Sequence, residues 1–106
     1  GAVPYGAMKA ALLNYFGNLA QELAPAGIRV NSVSPGPVFF EGGAWDNIKA
    51  AMPEIYESTV AMIPAGRMGS PEEICVQVAL LLSPLSAYTT GTNVVVDGGF
   101  TKRIQF

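Results

Sequence analysis

The chain of 106 residues is apolar and sparsely charged: half of it is hydrophobic, 13% is charged, and the mean hydropathy is +0.33. A net charge of −2, a pI near 4.9 and six scattered Lys and Arg leave no basic stripe for a phosphate backbone, which excludes nucleic acid as an expected partner. The aliphatic run from Val78 to Leu82 is far too short to span a bilayer, no charged and apolar leader pattern opens the chain, and one cysteine with no histidine allows neither an internal disulfide nor an obvious metal site.

In chain order, Pro4 suits the first turn of a helix. From Tyr5, the positions Met8, Leu12, Leu13, Phe16, Leu19, Ala20 and Leu23 recur at helical spacing until Pro25-Ala26-Gly27. Ile28 to Val33 alternates β-branched residues and predicts a strand that runs into the loop Pro35-Gly36-Pro37. Residues 39–64 are less regular and read as a mobile insertion with two short helices, Trp45 to Met52 and Pro53 to Met62. Ser70, Pro71 and Glu73 form a capping box that starts a helix ending near Ser83-Pro84. Cys75 is expected buried in that helix, in a reducing, cytoplasmic setting. Last, Val94-Val95-Val96 between glycine-bearing turns predicts a strand covered on both faces.

Helix, strand, helical insertion, helix, strand is a parallel crossover unit and predicts an α/β fold. Two strands make an incomplete sheet, and the apolar fraction exceeds what a core of this size needs. Further strands from outside the chain, and contact with other protein, are therefore expected. Asp97-Gly98-Gly99 reads as a turn, because one carboxylate makes a poor metal site.

The candidate chemistry lies in Tyr5-Gly6-Ala7-Met8-Lys9. Helix positions i and i+4 share a face, so a phenol and an ammonium are held together. A nearby cation favours a phenolate and fits a tyrosine for general acid and base work. Alone, such a spacing recurs by chance in roughly one 100-residue chain in five, so its weight depends on the rest of the sequence.

Four landmarks in order resemble the short-chain dehydrogenase/reductase family, in its 3-oxoacyl-carrier-protein reductase-like branch. They are Tyr5-x-x-x-Lys9, Ile28 to Gly36 (IRVNSVSPG), Arg67 to Ile74 (RMGSPEEI) and Thr90 to Gly99 (TGTNVVVDGG). The resemblance implies the C-terminal part of one Rossmann-like doubly wound parallel sheet over residues 1–106, with 39–64 as the substrate-loop insertion. It also implies hydride transfer between NAD or NADP and a small carbonyl or alcohol substrate. Tyr5 is then the acid/base, and Lys9 lowers its pKa and holds the cofactor ribose. Pro35, Gly36 and Val38 lie along the nicotinamide, with the Val38 backbone at the carboxamide. Phe40 stands where many members have threonine, so that hydroxyl contact is missing. Phe39, Phe40 and Trp45 either line an apolar substrate pocket or serve as packing residues.

In the family a catalytic serine, an asparagine of the proton relay and a glycine-rich phosphate loop lie upstream of the tyrosine, and this chain contains none of them. The choice between NAD and NADP is therefore unreadable. Two readings follow: the C-terminal half of an active oxidoreductase that forms a homo-oligomer, dimer or tetramer, with the N-terminal half elsewhere; or an inactive α/β fragment that self-associates through strand edge and apolar helices.

Overall fold

The long helical period from Tyr5 does produce the longest element. The computed structural model describes residues 2–102, in which the chain forms α1 (Ala2–Leu23), β1 (Ser32–Pro35), α2 (Ala44–Ala51), α3 (Pro53–Ala61), α4 (Pro71–Leu82) and β2 (Asn93–Val96). A 3-10 turn, Ala24–Ala26, closes α1, and Gly27 caps it at a left-handed φ of 76° with its N–H bonded to the Ala24 carbonyl. Glycine adopts that conformation without a Cβ penalty.

β1 and β2 are hydrogen-bonded neighbours. Ser32 N–H donates to the Thr92 carbonyl and Gly36 N–H to the Val96 carbonyl, both at 2.9 Å. The offset is constant along the ladder, so the strands are parallel, as the crossover order requires.

The first strand starts later than its sequence pattern predicts, at Ser32 rather than Ile28. Side chains occupy the earlier ladder positions: Val30 N–H donates to Thr90 Oγ1 at 3.1 Å, and Thr92 N–H to Asn31 Oδ1 at 3.2 Å. Asn31 Nδ2 and the Arg29 guanidinium both donate to the Thr89 carbonyl, and Arg29 also reaches Ser83 O at 3.3 Å. Peptide groups that pair with side chains cannot also build a backbone ladder. Pro35, expected in the loop, is instead the last strand residue.

The capping box at α4 forms as its residue types require. Ser70 N–H donates to Glu73 Oε2 at 2.9 Å, and Glu73 N–H donates to Ser70 Oγ at 3.4 Å. Arg67 adds a bidentate pair to the same carboxylate, at 2.6 and 2.9 Å. The Arg67 hydrogen bond, followed by that from Ser70 N–H, holds the Glu73 carboxyl down at about 2.

By its contacts the chain divides into two compact units, one of residues 2–33 with 78–94 and the other of residues 34–77 with 95–102. Among the described apolar residues, Ala20 is buried in the first unit, and Ile63 and Met68 in the second. Val3, Tyr5, Met8, Leu12, Leu13 and Tyr15 of α1 are all exposed. β2 is half-buried along its length, not covered on both faces, and Cys75 is exposed, not buried. Both corrections have one cause: a chain of this size with a two-stranded sheet buries little area per residue.

Candidate functional site

Tyr5 and Lys9 stand one helical turn apart near the start of α1, in the first unit. Lys9 Nζ lies 5.4 Å from the centroid of the Tyr5 ring, within cation–π range. Tyr5 is 67% exposed, so its phenol is open to approach. The pairing predicted from spacing is thus formed by the helix itself.

The other candidate residues belong to the second unit, around the carboxyl end of β1. Gly36 follows Pro35, and its N–H is used in the ladder to Val96. A Cβ on Gly36 would stand 2.5 Å from Asp97 Cβ and 2.7 Å from its Cα, so only glycine fits the close approach of the two strand ends. Asp97 closes the turn after β2: Oδ1 accepts from Gly99 N–H at 2.9 Å and Oδ2 from Thr101 N–H at 2.8 Å. Hydrogen bonds from Thr101, then from the Gly99 N–H, hold its carboxyl below the usual range. This is the turn that the sequence predicts.

Val38 forms an isolated parallel bridge with Gly69. The bonds of that bridge come from its neighbours: Phe39 N–H donates to Gly69 O at 2.9 Å, and Gly69 N–H donates to Pro37 O at 3.0 Å. Alternation along an extended chain therefore turns the N–H and C=O of Val38 itself to the opposite side. A backbone donor and acceptor side by side match the complementary pair of a primary carboxamide.

The three aromatic candidates do not act alike. Phe39 lies in an edge-on contact with Tyr56, with ring centroids 5.9 Å apart, and Lys49 Nζ stands 5.3 Å from Phe39 and 5.1 Å from Tyr56. Phe40 lies over buried Gly43, where a Cβ would meet its ring at 2.8 Å, and stays 51% exposed. Trp45, in the first turn of α2, is half-buried. Lys49 and Tyr56 escape a reading by periodicity because Pro53 resets the helical phase between them. The composition Phe-Lys-Tyr inside residues 39–64 was the available signal.

Two open concavities of about 550 and 570 Å³ in the first unit share Gly27 and Arg29 and include none of the predicted site residues. Among the described residues no group of three or more His, Cys, Asp or Glu is placed to hold a metal ion. No described helix is long and apolar enough to cross a membrane.

Residues 1–101 match the family model described as enoyl-(acyl carrier protein) reductase. The chain belongs to the short-chain dehydrogenase/reductase family. It is 45% identical over 102 residues to isoepoxydon dehydrogenase patN of Aspergillus clavatus, covering 96% of this chain and 39% of that protein. The crystal structure of YwfH, an NADPH-dependent reductase involved in bacilysin biosynthesis, superposes with a TM-score of 0.81 at 34% identity, over 92% of this chain and 39% of that one. A 3-oxoacyl-[acyl-carrier protein] reductase with bound NAD, from Brucella melitensis, gives a TM-score of 0.76 at 34% identity, over 90% of this chain and 32% of that one. The chain thus spans about two fifths or less of the length of these relatives.

Proposed function

We propose that this chain carries the proton-transfer dyad and the nicotinamide-facing loop of an NAD(P)-dependent oxidoreductase that interconverts a small carbonyl compound and its alcohol. The observation that carries the reading is the Lys9 ammonium held against the Tyr5 ring on an exposed face of α1. In it, the Tyr5 hydroxyl gives a proton to the substrate oxygen during reduction and takes it back during oxidation. Lys9 stabilises negative charge on the Tyr5 oxygen and holds the ribose hydroxyls of the cofactor. Bound nicotinamide supplies or accepts the hydride. Pro35, at the end of β1, and Gly36 after it lie beneath the nicotinamide, and the outward N–H and C=O of Val38 suit its carboxamide. NADPH and NAD are named for the two solved relatives above, which supports either cofactor. Phe40, half-exposed, is the aromatic residue best suited to touch an apolar substrate, with Trp45 beside it in chain order.

The residues 1–106 are, on this reading, the C-terminal part of one Rossmann-like domain, with 39–64 as its substrate segment. The uncovered apolar face of α1 and the two-stranded sheet support this, as does the greater length of the relatives. The same exposed surface suits a homo-oligomer. A cytoplasmic location agrees with a single unpaired cysteine.

The test is cofactor binding and carbonyl reduction by the full-length protein with NADH and NADPH, beside Lys9→Met. Tight binding of one cofactor by the wild type, weakened about tenfold or more in Lys9→Met, is expected when a charged hydrogen bond is removed. Binding of neither cofactor by the wild type contradicts the reading. The exposed apolar faces also favour a second reading, an inactive polypeptide of 11.1 kDa that only self-associates. Intact mass together with cofactor binding separates the two.

A further inference from the structure

Lys49 carries a charge that the proposed chemistry does not use. It lies in the last turn of α2, and its ammonium stands 5.3 Å from the Phe39 ring centroid and 5.1 Å from that of Tyr56, over the edge-on pair that the two rings form. Among the described residues the ion pair present is Arg67 with Glu73, so Lys49 directs its charge at rings, not at a carboxylate. The three side chains come from three places: the loop after β1, the end of α2 and the start of α3. All belong to one compact unit. Phe39 is also the residue whose N–H bonds Gly69 O in the bridge centred on Val38. A cation shared by two rings therefore ties both helices of the insertion to the residue next to the outward-facing Val38 peptide.

We propose that Lys49 is a positioning residue, which through its contacts with Phe39 and Tyr56 fixes the α2–α3 hairpin against the loop and holds the Val38 peptide in place for ligand binding. The ligand-binding half of this statement rests on the reading that Val38 faces the nicotinamide. The interaction is electrostatic, since the ring faces are negative, and it needs a cation more than it needs bulk. Lysine and arginine both supply one, while methionine keeps a similar stem without charge.

The experiment compares wild type, Lys49→Met, Lys49→Arg and Tyr56→Leu in the full-length protein. The first readout is amide hydrogen exchange, which requires no cofactor. In Lys49→Met and Tyr56→Leu, exchange over residues 38–56 is expected to accelerate about fivefold, the size appropriate to two exposed cation–ring contacts. Exchange over α4 should stay unchanged, and Lys49→Arg should resemble wild type. The second readout is kinetic: the KM for the cofactor rises about fivefold in Lys49→Met with kcat within about twofold, and Lys49→Arg restores it. Trp45, the sole tryptophan, gives a fluorescence check that α2 remains folded.

Unchanged exchange in Lys49→Met overturns the clamp, whatever the kinetics show. Accelerated exchange with an unchanged KM overturns the positioning role. Failure of the parent reading is separate, because it shows as wild-type protein that binds neither cofactor, while the exchange result stands independently of cofactor.

Discussion

Gly36 shows how a single residue sets the approach of the two strand ends, and Gly98 does the same for the turn after β2 against Ala65. A Cβ on Gly36 falls 2.5 Å from Asp97 Cβ, inside any real carbon contact, and Gly98 combines a φ of 61° with a Cβ position 2.9 Å from Ala65. Gly36→Ala is expected to destabilise the protein by about 1–3 kcal/mol through overpacking, read as a lower urea midpoint. An unchanged midpoint would mean that the strand ends move apart freely. In sequence, Gly36 was legible only as a turn residue on the cofactor side. Its packing reason lies in Asp97, too distant along the chain for any local pattern to expose. Tyr5 and Lys9 lie at the opposite extreme, because four residues of helix determine their meeting.

At the scale of elements, α4 is the case where local chemistry decides. Ser70, Glu73 and Arg67 satisfy the helix start within a few residues of sequence, so the capping box was readable, although the Arg67 contribution was not. Glu73 has a folded-state pKa of about 2, below its ordinary 4.5, so its stabilising effect is present above about 4.5 and is lost as pH falls through about 2. Glu73→Gln should therefore lower the thermal midpoint at pH 7. The gap between wild type and variant should close on acidification across that window. A gap that persists at pH 2 would show that the carboxylate charge is not the source. β1 was misplaced by the sequence pattern for a physical reason. Thr90 and Asn31 side chains take over ladder positions beside Val30, and neither contact leaves a mark in the β-branched pattern of Ile28 to Val33. The pairing of Lys49 with Phe39 and Tyr56 was hidden likewise, across the break at Pro53.

For the whole molecule, the deciding quantity is apolar surface that the described residues do not cover. Six large apolar residues of α1 stay exposed, and Val76, Leu80, Leu82, Leu85 and Tyr88 are exposed in and after α4. The excess apolar composition foretold this in amount but not in place, and the usual burial of a free cysteine misled the assignment of Cys75. A polypeptide restricted to these 106 residues is expected to self-associate at micromolar concentration and to bind a hydrophobic dye, as judged by sedimentation and fluorescence. A monodisperse monomer with cooperative unfolding would contradict that account. The family-scale reading, by contrast, needed only four short landmarks, because turns, caps and the dyad are local features that survive in sequence.

The proposed function rests on Tyr5 as the proton donor and acceptor. Its most direct test is carbonyl reduction by the full-length Tyr5→Phe protein, which keeps the ring beside Lys9 and removes only the hydroxyl. A fall in kcat of about 100-fold or more, with cofactor binding and circular dichroism unchanged, is the expected result. Near-normal reduction by Tyr5→Phe would contradict it.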